Sequence, residues 1–163
     1  MSGRLKQEIK QAKPFPTLEV EAVLNIERTA DVLNRSVSEL LKTVDLSPTQ
    51  YNVLRILKGA GDEGMPCGEI GERMVRRDPD ITRLLDRMEE RAWVARARSS
   101  KDRRVVVAHI TEKGARLAAQ MEQPLLNLHR RQLGKLGEKG LRALIELLET
   151  VRGEVSELNV MDR

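Results

Sequence analysis

Trp93-Val94-Ala95-Arg96-Ala97, then Arg98-Ser99-Ser100-Lys101-Asp102-Arg103-Arg104, then Val105-Val106-Val107-Ala108-His109-Ile110: residues 93–110 divide into an apolar-rich run, a polar stretch and a β-branched run. Valine, isoleucine and aromatic side chains suit the pleated, half-buried surface of a sheet, so the two runs predict strands and the stretch between them predicts a hairpin. Between Arg96 and Arg104 stand five basic residues and one acid, Asp102. That density suits contact with phosphate, where neutralising the backbone releases counterions. A solvated loop is the plainer alternative.

Working outward toward the N-terminus, Asp78-Pro79 offers an N-cap and a proline at the first helical position. In the helix they open, Ile81, Leu84, Leu85 and Met88 fall on one face and Asp80, Thr82, Arg83, Asp86, Arg87 and Glu90 on the other. The polar face is predicted to be free for a ligand. A short helix around Cys67 to Met74 precedes it, after a turn from Gly59 to Gly64. Ser47-Pro48-Thr49-Gln50 carries a capping-box hydroxyl and amide with proline between them, so a helix starts there and points Tyr51, Leu54 and Leu57 inward.

Longer helices flank this centre. Val23, Ile26, Ala30, Leu33, Val37, Leu40 and Val44 recur at spacings of three and four, which places them on one stripe. Beyond the hairpin, Thr111 can cap a helix to about Leu133, with Pro124 expected to bend it and a break from Gly134 to Gly140. Leu141, Leu144, Leu148, Val151, Val155 and Leu158 then form a second seam. Two such seams in a short chain predict a homodimer. Residues 1–17, interrupted by Pro14 and Pro16, read as a polar arm.

The 163 residues, 40% hydrophobic, suffice for one compact domain, expected over 18–163 with a central lobe at 45–111 and dimerisation helices at 18–44 and 112–158. No apolar run approaches the roughly 18 residues of a membrane span and the N-terminus has no apolar signal stretch, so a cytoplasmic protein is expected. Cys67 is the sole cysteine and there are two histidines, which excludes an intrachain disulfide and leaves no four-ligand zinc set; no metal or cofactor is expected. The net charge of +4 lies wholly in residues 71–104, where eleven basic residues face seven acids.

This order of elements resembles the MarR transcription regulators over roughly residues 18–158. The segment Asp102-Arg103-Arg104-Val105-Val106-Val107-Ala108-His109-Ile110-Thr111-Glu112-Lys113-Gly114 is similar to the family's wing pattern of Asp, any residue, Arg, a strand ending in an aliphatic-Thr pair, and Lys-Gly. Ile81-Thr82-Arg83-Leu84-Leu85-Asp86-Arg87-Met88-Glu89 resembles its recognition helix. The resemblance implies a mainly α fold with a small β-hairpin wing, a winged helix-turn-helix core flanked by N- and C-terminal dimerisation helices. It also implies a homodimer on an inverted-repeat, double-stranded operator, acting as a repressor that responds to a small aromatic effector. Asp80, Thr82, Arg83 and Arg87 are then the candidates for base contact in the major groove, with Thr82 suited to a thymine methyl and Arg83 to guanine or phosphate. Arg104 would enter the minor groove, with Asp102 orienting arginine and Arg98, Ser99, Ser100, Lys101 and Arg103 along the backbone. Asp78 and Asp80 depart from the family, which often carries neutral Ser or Thr there. Asp78 is explained as an N-cap, and Asp80 as an acceptor from cytosine.

Other functions fit less well. His109 falls in a strand and His129 in a polar helix, neither with a motif-spaced nucleophile, so an enzyme is not expected. Phe15, Tyr51 and Trp93 are the only aromatics, too few for a single-strand stacking platform. Two alternatives stand: a helical dimeric adaptor without DNA, and a redox-sensing regulator in which a helix start lowers the pKa of Cys67.

Overall fold

The computed structural model describes residues 3–76, 78, 80–99 and 102–161, with side chains through residue 154. The elements run α1 (Arg4–Glu8), α2 (Leu18–Lys42), α3 (Pro48–Ala60), β1 (Met65–Pro66), α4 (Cys67–Arg73), α5 (Ile81–Glu90), β2 (Val94–Arg98), β3 (Val106–Ile110), α6 (Glu112–Leu133) and α7 (Gly137–Met161). Chain contacts form two compact units, Met1–Glu122 and Gln123–Arg163, dividing inside α6. Among the described residues no helix is long and apolar enough to cross a membrane.

In the first unit the capping box forms as expected. Ser47 Oγ accepts from Gln50 N at 3.1 Å and Gln50 Oε1 accepts from Ser47 N at 2.9 Å, with Pro48 opening α3. The helix buries Val53, Leu54 and Leu57 completely and leaves Tyr51 half-buried. It packs against α2, α4 and β3, while α5 packs against α4 and β2. Leu41, Ile70, Leu85, Met88 and Val94 are covered as fully. Burying each such side chain is worth about 1.5–3 kcal/mol, enough for a few of them to hold short helices in place.

The sheet has three antiparallel strands in the order β1-β3-β2, with Arg96 and Met65 both opposite Ala108. The expected hairpin is β2 and β3, each starting one residue later than its apolar run. The third strand is an addition, since two residues carry no periodicity to reveal it. Gly64 admits it: φ is +65°, and a Cβ there would lie 2.6 Å from the Ala108 carbonyl oxygen. Gly59 and Ala60, expected in the preceding turn, complete α3, and a short 3-10 turn follows at Gly61–Glu63. The arm is also more ordered than predicted, since α1 buries Leu5.

Thr17 caps α2, its Oγ1 accepting from Val20 N at 3.4 Å. The α2 stripe is covered only toward its C-terminal end: Leu33, Val37 and Leu40 are half-buried and Leu41 is buried, whereas Val23 and Ile26 are 54% and 41% exposed. In the second unit α6 continues through Pro124, and α7 follows the Gly134–Leu136 turn. Leu141, Leu144 and Leu148 are half-buried, while Val151 is exposed. The side chains of Val155 and Leu158 lie outside the described residues.

Candidate nucleic-acid interface

Asp80, not Asp78, caps α5. Its Oδ1 accepts from Arg83 N at 3.0 Å, and Asp78 Oδ1 accepts from Asp80 N at 2.9 Å. Asp78 therefore shapes the turn into the cap, moving the helix start two residues along; Pro79 lies outside the described residues. Asp80 thus has a role within its own helix, and its Oδ2 also approaches Arg83 Nε at 3.6 Å. Leu84, Leu85 and Met88 point into the core. Thr82, Arg83 and Arg87 are exposed on the outer face, where Arg87 Nε donates to the Arg83 carbonyl at 3.3 Å.

Asp86 was expected to be free on that face and is not. Arg96, on β2, donates through Nη2 to Asp86 Oδ1 at 2.5 Å and to Glu89 Oε2 at 2.7 Å. Its Nε also meets Glu89 Oε2 at 3.0 Å, and its backbone N donates to Glu89 Oε1 at 2.9 Å. These hydrogen bonds hold the Glu89 carboxyl below the usual carboxylate range. Arg96, counted in the sequence among the phosphate-facing charges, is instead partly buried against two carboxylates of α5. The signal was present: strand alternation puts Arg96 on the face of buried Val94, where a cation needs partners, and Asp86 and Glu89 stand three apart on a helix.

The hairpin tip is held by its own backbone. Ser99 N donates to the Val105 carbonyl and Val105 N to the Asp102 carbonyl, each at 2.9 Å. Asp102 Oδ1 accepts from Arg104 N at 2.9 Å, so it orients Arg104 through the main chain. Arg98 Nη1 reaches the Arg103 carbonyl at 3.5 Å. Arg98, Arg103 and Arg104 are exposed, and among the described residues no carboxylate pairs with them. Ser100 and Lys101 lie outside the described residues.

The Thr-Glu-Lys-Gly end of the wing pattern forms a clasp at the other end of α5. Thr111 Oγ1 donates to the Ala92 carbonyl at 2.7 Å and accepts from Gly114 N at 3.1 Å. Lys113 Nζ donates to the Arg91 carbonyl at 2.8 Å. A Cβ on Gly114 would sit 2.1 Å from the Trp93 carbonyl oxygen, so only glycine lets α6 approach this turn. Arg91 lies over the Trp93 ring at 4.9 Å and reaches Asp45 Oδ2 at 2.5 Å, adding the end of α2 to the joint. A cleft of about 610 Å³ opens beside it, lined by Val44, Arg91, Trp93, Lys113, Arg116 and Leu117 among others.

Cys67, the first residue of α4, is half-buried, and burial pushes its thiol up, the reverse of the lowering expected from a helix start. Among the described residues no cluster of His, Cys, Asp and Glu is disposed to hold a metal.

Comparison with known proteins places this geometry. A family model described as the MarR family matches residues 46–106. The HTH-type transcriptional regulator MhqR of Bacillus subtilis is 33% identical over 89 residues, which are 55% of this chain and 60% of that protein. The crystal structure of a MarR transcription factor from Planctomyces limnophilus is 40% identical, covering 83% of this chain and 98% of its own, with a TM-score of 0.64. The transcriptional repressor CouR, solved bound to a 23-mer DNA duplex, is 25% identical, covers 86% of this chain and 99% of its own, and has a TM-score of 0.72.

Proposed function

The chain belongs to the MarR family of transcriptional regulators, and on that premise we propose that it binds double-stranded operator DNA as a homodimer, one winged lobe per half of an inverted repeat. The relatives are transcription regulators, not enzymes. In this reading residues 45–111 form the DNA-binding lobe and residues 18–44 and 112–158 the dimerisation helices. Helix α5 lies in the major groove, where Arg83 grips a guanine edge or phosphate and Thr82 meets a thymine methyl. Arg87 follows one turn along. The wing reaches the flanking minor groove with Arg104, whose guanidinium suits the negative potential of narrow A·T tracts. Arg98, Ser99 and Arg103 contact the backbone, together with Ser100 and Lys101.

The observation that carries this reading is the division of the lobe's arginines. Arg96 is drawn partly inward by two carboxylates and Arg91 is tied to Asp45, while Arg87, Arg98, Arg103 and Arg104 stand on the outside of α5 and the hairpin, as does Arg83, whose contact with Asp80 is itself exposed. Association with a second copy is supported by the open N-terminal part of the α2 stripe, at Val23 and Ile26, and, separately, by Ile145, Leu147 and Val151 on α7. Repression in response to a small aromatic effector completes the proposal, with the cleft beside Trp93 as a place for such a ligand.

Selection of bound sequences from a random duplex pool tests it. An enriched inverted repeat is expected, and Arg83→Ala should relax preference at one position per half-site with a loss of about 1–3 kcal/mol. A protein that enriches nothing while remaining dimeric would be a helical adaptor, and the DNA reading would fall.

A further inference from the structure

Phosphate contact does not explain where Arg96 sits. Its side chain retains 22% of its exposure, beneath a hairpin whose other arginines are open to solvent. The guanidinium meets two carboxylates a turn apart on α5, and the Arg96 amide adds a further bond to Glu89. A planar fork restrained at both partners and at its own backbone fixes orientation as well as distance. Two residues further on, at Arg98, the strand ends and the hairpin tip begins.

We propose that Arg96, with Asp86 and Glu89, sets the position of the wing against α5 and so determines specificity without touching a base. The proposal rests on the DNA reading above for its consequence. The offset between the pairs read by α5 and the flank reached by Arg104 is fixed by this junction. Arg96 also neutralises two acids that would otherwise repel phosphate from the recognition helix. The clasp of Thr111, Lys113 and Gly114 holds the far end of α5 independently. Loss of Arg96 therefore frees the wing to pivot about the clasp while the lobe stays folded.

The junction is tested first without DNA. Spin labels at Thr82→Cys and Arg103→Cys, in full-length protein carrying Cys67→Ser, report the separation of α5 and the wing by pulsed resonance. A narrow distribution is expected in the parent, and one about twofold wider once the restraining fork is gone in Arg96→Met, or replaced by a point charge in Arg96→Lys. Arg76→Met, at an exposed arginine outside both the junction and the hairpin, should leave the width as it was. On duplexes from the selection, Arg96→Met should cut discrimination between A·T and G·C flanks by about threefold while keeping discrimination at the α5 pairs. A folded Arg96→Met with the parent's width overturns the positioning role. An equal loss on every duplex, with a salt slope smaller by about 1, would make Arg96 a phosphate contact and overturn it too. Should Arg96→Met fail to fold, Glu89→Gln is read with the same labels, and a parent-like width there is equally fatal. A parent that discriminates among no duplexes overturns the DNA reading alone, because the label distances are measured in free protein.

Discussion

In the winged lobe, the apolar residues that recur along each helix are covered by the chain itself: Leu54, Leu57, Leu85 and Met88 have no exposure. On α2 and on α7, side chains of the same kind at the same spacing stand open, with Val23 and Ile145 both 54% exposed and Val151 45%. The hydrophobic period is as clear in one region as in the other. What differs is the neighbourhood. In the lobe, short helices end in tight turns that bring a strand or another helix across each apolar face. Helix α2 runs 25 residues, about 37 Å, without such a return. Periodicity says that a face needs covering; it does not say whether the cover comes from the same chain.

The sharpest way to break that contrast is to change one residue on each side of it. Leu85→Ala should cost about 2–5 kcal/mol in urea unfolding, and the cost should be the same at low and high protein concentration because the cavity lies within one chain. Ile26→Glu should instead act on association. A charge replaces a side chain whose burial by a second copy is worth about 1.5–3 kcal/mol, so sedimentation should show dissociation at concentrations where the parent stays dimeric. Trp93 emission, which reports the lobe, should not change. If Ile26→Glu sediments as the parent does, the open stripe is not a dimer face.

The same contrast marks what was legible in the sequence. Ser47 and Gln50 announced α3 because a capping box is local, and Ile81, Leu84, Leu85 and Met88 announced the buried side of α5 because a helix face is local too. The hairpin followed from composition alone. Misplacement arose where two local rules competed: Asp78-Pro79 is a good helix start, yet Asp80 holds the cap and Asp78 serves the turn before it. Arg96 was misread for a different reason. Its partners lie seven and ten residues away on another element, and only the strand's alternation, taken together with the pair of acids on α5, could have drawn it inward. Strand β1 and the burial of Leu5 had no signal of their own.

Acid should separate the lobe's paired charges from its open ones, with a smaller effect than either substitution because solvent screens a partly exposed pair. Glu89 is held below the ordinary value of 4.5 by Arg96. A carboxylate whose folded-state pKa is depressed contributes stability that is present above its unfolded value and is lost as the pH falls through the folded one. The parent should therefore lose stability below about pH 4.5 more steeply than Glu89→Gln does. Arg104, which no carboxylate pairs with among the described residues, lies outside this linkage, so Arg104→Ala should leave the acid limb alone. Parallel limbs for the parent and Glu89→Gln would mean that the junction contributes no stability.

The smallest effect is expected at two turns with one backbone conformation. Asp45, after α2, and Ala92, after α5, both have φ of +56°. Left-handed backbone costs a residue with a Cβ about 1–2 kcal/mol, and glycine escapes that cost while giving back part of it through greater freedom in the unfolded chain. At Ala92 the turn is made by the main chain: Trp93 N donates to the Met88 carbonyl at 3.0 Å and the Ala92 carbonyl accepts from Thr111. Nothing there depends on the exposed methyl group, so Ala92→Gly should stabilise the lobe by about 0.5–1 kcal/mol with DNA affinity unchanged. Asp45 differs, because its carboxylate holds Arg91, and aspartate tolerates this region better than alanine does. Asp45→Gly should therefore bring no gain. Urea midpoints of the two variants decide the matter: a gain at both positions would mean that the Asp45–Arg91 contact adds nothing to the joint between α2 and α5, and a loss at Ala92 would mean that the turn needs its methyl group after all.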